Sequence, residues 1–393
     1  MKKSIKAMSV FMSAMLTLGS LGAVSLTAGA QESIGTVTKI TSGDFVYTVE
    51  DNVATIVDYT GSANALVIPQ TIDGRKIVRI GDYALSKKAK LNSVVVPESV
   101  ESIGRACRAI AEADESRGDD FVGAHIQGIY LEGPFFTMKH VGAQNPEYLI
   151  DPSYEVFKGW QEKAGGRIVK SALAPERDGS EAYIAALDAE GVVTSIGHSD
   201  ATYEEALAAV NAGATCFVHT YNGMRGLHHR EPGTLGCAMS TPETYAEVIC
   251  DGKHVQPAAI KALVRAKGWQ HSVLITDCLG CGGLPEGHYM SGGLPVVMDG
   301  GLCYLENEDG TKGNIAGSVL TLARGVKNIV DWGVASADEA IRMATEVAAR
   351  SARIDGVCGS IKPGRDADFV VFDHELNLRE TYLAGETLGS PRN

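Results

Sequence analysis

The sequence predicts an α/β protein in which a (β/α)8-type barrel lacking its first two strands follows a small all-β segment. After Arg105, apolar strands alternate with amphipathic helices, which indicates parallel β-α units. Six such units can be counted, whereas a complete barrel of this type has eight. Residues 31–104 are instead rich in Val, Ile and Thr in short alternating stretches, which is typical of an all-β segment.

The first thirty residues predict a signal peptide. Lys2, Lys3 and Lys6 precede an apolar run over 8–26, and the small residues 28–30 then supply a cleavage site. A membrane-spanning helix is the alternative interpretation, but the Ser, Thr and Gly content makes this run weakly apolar for that role. We therefore expect cleavage after residue 30.

The all-β segment contains two related stretches, LVIPQTIDGRKIVRIGDYAL and SVVVPESVESIG. Both show two apolar residues, Pro, a further apolar residue and then Ile-Gly, and they resemble leucine-rich repeats of the bacterial surface-antigen type. Only about one and a half units are present, although a solenoid needs roughly three to bury its faces. A small irregular β-sheet is the alternative.

Composition favours a folded protein that acts on small molecules. The chain of 393 residues is 45% hydrophobic and 21% charged, with a formal charge of −13. That negative charge disfavours nonspecific binding to nucleic acid or to an anionic membrane. The eight cysteines are scattered and do not form a disulfide framework. Cys278-x-x-Cys281 could be a redox or zinc pair, but the glycines around it favour a loop with incidental thiols.

The β-α part contains six predicted strands, most of which are separated by predicted helices. The predicted strands cover 128–132, 167–176, 192–199, 215–220, 245–250 and 272–277. Helical patterns separate most of them, as in SEAYIAALDAEG, ATYEEALAAVNAG and QPAAIKALVRAKG. Each of these three helices ends at a glycine, which suits a helix C-terminus.

Polar residues stand where these strands end, and in parallel barrels the reactive groups lie at that edge. The five strand-end residues are Glu132, His198, His219, His254 and Asp277. One carboxylate with two imidazoles suits a zinc-like divalent ion, and a further aspartate can accept a proton from water. Any one histidine alone would more often be a hydrogen-bonded core residue, but five such coincidences favour a metal-dependent active site.

Ten segments around these positions carry a family resemblance. They are LEGPFF, GAQNPEY, APE, GHSDATYEEA, HTYNGM, REPG, CDGKHV, LITD, IAGS and KPGRDADFVVFD. In this order, from about residue 105 to the C-terminus, they closely resemble the N-acetylglucosamine-6-phosphate deacetylases of the amidohydrolase superfamily. The resemblance implies metal-dependent hydrolysis of the acetamide of a phosphorylated amino sugar.

The resemblance also implies roles for the strand-end residues. Glu132, His198 and His219 would hold one metal ion, with zinc expected and iron, manganese or cobalt compatible with the same ligands. Asp277 would act as general base toward water and then as general acid toward the leaving amine. His254 would hydrogen-bond the acetamido group and stabilise the oxyanion.

Other positions would bind the sugar phosphate. Asn222, the backbone at Gly223, and Arg230 are implied for this role, and a guanidinium fork matches phosphate oxygens. Gln144 stands where some relatives carry a histidine that reaches a neighbouring subunit's phosphate site. His228 and His229 are interpreted as solvated loop residues.

Four segments are therefore expected: a signal peptide (1–30), a repeat-like β segment (31–104), a truncated barrel (105–355) and C-terminal strands of a small sandwich (356–393). The family would be cytoplasmic and homodimeric when its barrel is complete, whereas the signal predicts export without a membrane anchor after cleavage. A missing pair of strands would expose sheet edges and lower stability and activity. The alternative functions are a secreted repeat-bearing binding protein with an inactive C-terminal part and a deacetylase for another N-acyl amino sugar.

Overall fold

The structure is a computed structural model that describes residues 38–50, 53–61, 65–67, 71–80, 93–95, 102–115, 126–291, 294–365 and 367–387. The predicted signal peptide lies outside these residues. Contacts divide the chain into two compact units, with the boundary between Ala106 and Cys107. The first unit and the second are described separately.

The first unit is made of short strands. They are β1 (Ile40–Ser42), β2 (Phe45–Glu50), β3 (Val53–Tyr59), β4 (Ala65–Val67), β5 (Thr71–Ile72), β6 (Arg75–Ile80) and β7 (Ser93–Val95). Five of them form a sheet in the order β1-β2-β3-β6-β5. Its core contains Tyr47, Ile56 and Ile77, each at most 1% exposed, so alternate residues of β2, β3 and β6 face inward as the alternating sequence predicts.

The two remaining strands of this unit, β4 and β7, pair in parallel. Leu66 lies opposite Val94 and Val67 opposite Val95, so the positions that match between the two related stretches are also neighbours in space. A parallel pair of this kind suits a repeat architecture, in which equivalent strands of successive units stack. The leucine-rich-repeat assignment itself stays a prediction.

The second unit alternates strands and helices. Its strands are β8 (Ile129–Phe135), β9 (Ile168–Leu173), β10 (Val193–Ile196), β11 (Cys216–Phe217), β12 (Tyr245–Ile249), β13 (Ser272–Ile275), β14 (Gly287–Ser291), β15 (Leu294–Asp299), β16 (Leu302–Glu306), β17 (Lys312–Ser318), β18 (Phe369–Phe372), β19 (Leu378–Leu383) and β20 (Glu386–Thr387). Its helices are α1 (Ser102–Glu115), which begins before the boundary, α2 (Tyr154–Lys163), α3 (Ser180–Ala189), α4 (Tyr203–Asn211), α5 (Gly233–Ser240), α6 (Pro257–Lys267), α7 (Leu322–Asp331), α8 (Ala337–Ala344) and α9 (Glu346–Ser351).

A parallel sheet of six strands positions the strand-end residues. The strands lie in the order β13-β12-β11-β10-β9-β8, and each pairs in parallel with the next. All six predicted strands are thereby confirmed. Because neighbouring parallel strands run the same way, their carboxyl ends lie along one edge. The absence of two further barrel strands stays a prediction.

The three helices predicted to end at glycine are confirmed as α3, α4 and α6. Gly191, Gly213 and Gly268, which follow them, have φ values of 78°, 121° and 74°. A side chain would be strained there, so glycine reverses the chain toward the next strand at the lowest steric cost. Helix α4 also begins with a capping box between Thr202 and Glu205.

Two antiparallel sheets follow the parallel one in the chain. Strands β14 to β17 form a four-stranded meander, and Cys278 and Ser318 form an isolated parallel bridge. The last strand of the meander, β17, therefore ends next to Cys278, the residue that follows Asp277. Strands β18 to β20 form a three-stranded sheet, and its place in a sandwich domain stays a prediction.

Among the described residues, no helix combines the length and the apolar character needed to cross a membrane.

Candidate active site

Three of the strand-end residues meet in one buried cluster. Glu132 lies in β8, whereas His198 and His219 each come two residues after a strand, β10 and β11. Glu132 Oε1 lies 2.9 Å from Nε2 of His198 and 3.1 Å from Nε2 of His219, and the two nitrogens are 3.0 Å apart. All three residues are at most 6% exposed. Their ligand atoms converge on one point, as in a metal-binding site.

The ring of His198 is held in a fixed orientation. Its Nδ1 donates to the backbone oxygen of His140 over 2.7 Å, which leaves the lone pair of Nε2 directed into the cluster. Phe136 stacks on the ring with centroids 4.2 Å apart. Gly142 and Gly223 approach it so closely that an added Cβ would lie 2.9 Å and 3.2 Å from ring atoms. The two glycines therefore let the backbone close around this imidazole.

The backbone turns sharply at the strand ends. His198, His219 and Asp277 have φ values of 47°, 24° and 48°, in the left-handed region that non-glycine residues rarely adopt. Such residues cost on the order of 1–3 kcal/mol each, and they concentrate at functional sites. The surrounding sheet therefore supports three strained residues at one edge, and two of them, His198 and His219, direct their side chains into the cluster.

Two buried polar atoms of the cluster lack hydrogen-bond partners among the described residues, namely Oε2 of Glu132 and Nδ1 of His219. Burial alone would raise the pKa of Glu132, but hydrogen bonds from His198 and His219 lower it overall. Burial alone would lower the pKa of His219, but the hydrogen bond and charge of Glu132 raise it to about 9. Glu132 is thus a buried anion without a permanent cation beside it.

Asp277 follows β13 at the same edge of the sheet. Burial raises its pKa to about 6, and the negative charge of Glu132 acts in the same direction. Ser318 fixes its backbone, because the Ser318 N–H donates to the Asp277 oxygen over 2.9 Å. This carboxyl group can therefore exchange a proton near neutral pH.

His254 lies after β12, where its Nδ1 is 2.6 Å from Oδ2 of Asp251. The structure does not join it to the cluster by a hydrogen bond, but its charge lowers the pKa of Asp277, so the two groups are electrostatically coupled. Asp251 was not among the sequence predictions, although it stands in the segment CDGKHV that carries the resemblance.

The residues expected to bind phosphate lie at different depths. Asn222 donates from both N and Nδ2 to the His219 oxygen, and Gly223 accepts from Ser199 N over 3.0 Å. Arg230 is exposed and its Nη1 donates to Nε2 of His229 over 2.8 Å. Gln144 is half-buried in the loop that covers His198.

A second polar network beside the cluster was missed from the sequence. The Asp200 carboxylate accepts from Arg225 Nη2 and from Lys139 Nζ, each over 2.9 Å, and lies 3.3 Å from His140 Nε2. Glu176 accepts from Ser199 Oγ and from the Asp200 N–H. The motifs GHSD and APE contain Asp200 and Glu176, but spacing alone could not show which cations they meet.

The two cysteines of the Cys278-x-x-Cys281 motif are not joined by a disulfide. Sγ of Cys281 lies 3.2 Å from Sγ of Cys303 in β16, and all eight cysteines are free thiols. Glycine at 282 is required locally, because an added Cβ would lie 2.2 Å from Sγ of Cys278. The described metal-ligand cluster contains no cysteine.

Comparison with known proteins places these features in a family. Residues 112–388 match the model of the amidohydrolase family. An N-acetylglucosamine-6-phosphate deacetylase from Vibrio furnissii is 40% identical over 277 residues, which cover 70% of this chain and 68% of that protein. An N-acetylgalactosamine-6-phosphate deacetylase from Escherichia coli O157:H7 is 36% identical over 291 residues, covering 74% and 75%.

Solved structures agree with this assignment. A mutant N-acetyl-D-glucosamine-6-phosphate deacetylase from Mycobacterium smegmatis, in complex with N-acetyl-D-glucosamine-6-phosphate, superposes with a TM-score of 0.68 and is 31% identical, covering 74% of each chain. The N-acetylglucosamine-6-phosphate deacetylase from Pasteurella multocida gives a TM-score of 0.66 at 27% identity, covering 77% of each chain.

Proposed function

The chain belongs to the amidohydrolase family, and on that premise we propose that it hydrolyses the acetamide of N-acetylglucosamine 6-phosphate to give glucosamine 6-phosphate and acetate. One observation carries this proposal: the buried cluster of Glu132, His198 and His219 lies at the same sheet edge as Asp277. Relatives at 34–40% identity that bear the same deacetylase name support the substrate.

The donor atoms of the cluster fit a divalent metal ion. His198 donates through Nδ1 to a backbone oxygen and so keeps Nε2 free to ligate. Oε2 of Glu132 has no hydrogen-bond partner among the described residues, and a divalent ion would supply positive charge to this buried carboxylate when both imidazoles are neutral. Glu132, His198 and His219 would hold the ion, which would act as a Lewis acid on the acetamide and favour ionisation of water.

We take zinc as the native ion, because one carboxylate and two imidazoles are a common zinc donor set. The same donors also bind iron, manganese and cobalt. Metal analysis of protein purified without added metal, followed by reconstitution with each ion, would identify it.

Asp277 is the proton carrier of the proposed reaction. With a pKa near 6 it is mostly ionised at neutral pH, so it can take a proton from the attacking water. The same carboxyl group can then deliver that proton to the nitrogen of the leaving amine, which cannot depart as an anion. Its backbone hydrogen bond with Ser318 keeps the group in place between the two transfers.

His254, Asn222 and Arg230 would orient the substrate. An N–H of His254 would donate to the acetamide oxygen, where negative charge develops during attack. Asn222 is fixed through His219, so it can place a sugar substituent relative to the cluster. Arg230, exposed on its turn, offers a forked guanidinium to the phosphate.

Acetate release from the metal-loaded protein tests the proposal. N-acetylglucosamine 6-phosphate, its galactosamine epimer and unphosphorylated N-acetylglucosamine would be compared, since relatives of both epimer specificities match the chain. We expect the glucosamine phosphate to be hydrolysed with the highest kcat/KM and the unphosphorylated sugar with the lowest. A folded protein that releases no acetate from any of them with zinc, iron, manganese or cobalt would overturn it.

A pair of histidine variants separates the site from general damage. His219→Asn removes a cluster nitrogen and should abolish both metal binding and acetate release. His288→Asn is the matched control, because that side chain is 70% exposed and pairs with Glu306 on the β14–β17 meander. The control should keep full activity.

We further propose that the protein assembles as a homodimer, with Gln144 placed at the position that in some relatives reaches a neighbouring subunit. Light scattering coupled to size exclusion measures this directly. A monomer with full activity would contradict a role for the second subunit.

A further inference from the structure

Asp251 and His254 form a closed polar turn directly after β12. Asp251 Oδ2 lies 2.6 Å from Nδ1 of His254. Asp251 Oδ1 accepts from the backbone N–H groups of Lys253 and His254 over 2.8 Å and 2.9 Å. The side chains of Asp251 and His254 are 8% and 6% exposed, so the pair is both local and buried.

The chemistry of the pair fixes one proton. An ionised carboxylate only accepts hydrogen bonds, and burial alone would raise the pKa of Asp251. The hydrogen bonds from His254 and from the backbone lower it overall, so Asp251 remains an anion. Nδ1 of His254 must therefore carry a proton, and Nε2 is the nitrogen left for other partners.

The turn is anchored from outside as well. Asn328 in α7 donates through Nδ2 to the backbone oxygen of Cys250 over 2.9 Å, and Lys253 Nζ donates to the Gly300 oxygen. Gly252, at φ 73°, passes beneath Trp332, where an added Cβ would lie 3.0 Å from the ring. Helix α7, with Asn328 and its C-terminal Trp332, and the turn at Gly300 thus hold the loop that carries the pair.

We propose that Asp251 is a positioning residue for deacetylation, which holds the His254 ring through a bond from its Nδ1–H to a buried anion and so leaves Nε2 to meet the substrate. With Nδ1 bonded to Asp251, Nε2 is the ring atom that would meet the acetamide oxygen, and a ring that also carries a proton on Nε2 would donate to that oxygen as negative charge develops on it. The inference rests on the proposed function, because it deepens the role of His254 in that reaction. No proton moves between Asp251 and His254 at any step.

Asp251 is the carboxylate that holds the His254 ring directly, through the contact between its Oδ2 and Nδ1. The other charged groups at this sheet edge act together on Asp277, because burial and Glu132 raise its pKa and His219, His254 and His198 lower it. Removal of Asp251 should therefore change His254 more than any other single substitution.

Asp251→Asn in the metal-loaded protein tests this inference. We expect kcat to fall on the order of a hundredfold, as for groups that orient a reacting residue, with KM changed less than about twofold and metal content unchanged. In a His254→Asn background the same substitution should have almost no further effect, because Asp251 acts through His254. A full additional loss in that background would overturn the proposal, as would a kcat within threefold of the wild type.

Asp373→Asn is a matched control. That carboxylate also accepts from two backbone N–H groups, those of Glu375 and Asn377, but its side-chain partners are Asn377 and Arg379 in place of a histidine. Activity should therefore be unchanged, so a loss specific to Asp251 cannot come from the turn alone.

A measurement on the unsubstituted protein covers the case in which Asp251→Asn fails to fold. Nitrogen NMR of histidine-labelled protein should show His254 protonated at Nδ1, with the signal assigned by its loss in His254→Asn. A ring protonated only at Nε2 would overturn the inference. Wild-type protein without deacetylase activity would instead count against the proposed function and leave the NMR test of the pair intact.

Discussion

The parallel sheet contains two buried polar clusters at neighbouring levels along its strands, and the negative charge of each is compensated in a different way. The upper cluster is Glu132 with His198 and His219 at the carboxyl ends of the strands. The lower cluster contains Lys170, whose Nζ lies 2.5 Å from Oε1 of Glu247 and 3.2 Å from Sγ of Cys216. Lys170 pairs in register with Tyr130, two residues before Glu132 in β8.

Burial does not distinguish the two clusters, since the side chains of Lys170 and Glu247 are at most 1% exposed and Glu132 is 6% exposed. The difference is the permanent cation. Lys170 remains charged because interactions with Cys216 and Glu247 outweigh its burial and raise its pKa. The upper carboxylate has only imidazoles, which ligate a metal when neutral.

Two carboxylates that are buried to a similar extent, Glu247 and Glu132, can therefore have a structural role in one case and a functional role in the other. A carboxylate closed by an internal lysine is neutral as a pair and needs no ligand. A carboxylate that faces two neutral histidines lacks a compensating positive charge until a proton or a divalent ion binds there. Substituting Glu132 or Lys170 changes the charge of one cluster and leaves the other intact.

The largest effect is expected for Glu132→Gln. The amide is a weaker ligand without charge, so the site should lose its metal and with it about 4 kcal/mol or more of transition-state stabilisation, which is roughly a thousandfold in rate. Metal analysis and acetate release measure the two losses. Retained metal with normal kcat would show that Glu132 is not a ligand.

Lys170→Met should destabilise the fold without touching the site. It leaves Glu247 as an unpaired buried charge, which costs about 3–5 kcal/mol in the free energy of unfolding. Urea denaturation measures the change. The double variant Lys170→Met with Glu247→Leu should recover most of it, because an apolar pair of similar volume replaces a buried ion pair at little cost. Equal losses in both variants would refute the charge argument.

Metal binding should release one proton below pH 9. His219 has a pKa of about 9 without metal, so it is protonated at neutral pH and must lose that proton to ligate. Apparent metal affinity should therefore rise about tenfold, or 1.4 kcal/mol, for each pH unit up to about 9 and then level off. Titration calorimetry in buffers of different ionisation enthalpy counts the proton. An affinity independent of pH from 7 to 9 would contradict this.

The smallest effect is expected for Asp200→Asn, in the half-exposed network beside the upper cluster. Arg225 above all, and then Lys139 and His140, hold the pKa of Asp200 below its usual range. Because the folded-state pKa is depressed, the stabilisation is present above the unfolded pKa near 4 and is lost as pH falls below it. Solvent screening limits it to at most about 1 kcal/mol at neutral pH. Melts at pH 7 and pH 3 should differ less for the variant than for the wild type.

The sequence predicted the parallel strands well because buried strands and amphipathic helices have distinct periods. The six strands and the helices α3, α4 and α6 are confirmed, and the glycines after those helices adopt positive φ values. The strand ends also pointed to Glu132, His198 and His219, since chemistry in such folds lies at that edge.

The partners of the buried polar residues could not be predicted from the sequence. Lys170 stands in the middle of an apolar strand, and nothing in its local pattern identifies Glu247, 77 residues later, as its partner. Cys281 likewise contacts Cys303 and not the nearer member of its own motif. These contacts depend on strand register, which is set by the whole sheet.

By itself the sequence determined the alternation of strands and helices, the positions at which strands end, and the residue types that stand there, because each is a local property of pattern and composition. The tertiary structure alone decided that Asp251 bonds to His254, that Lys170 neutralises Glu247, and that three residues after the strands adopt left-handed backbone conformations. Register and turn geometry place atoms to within an ångström, whereas periodicity specifies only the face of an element. The interaction energy between a buried carboxylate and its partner changes strongly over such a distance, so the pairing of these charges could not be predicted from periodicity.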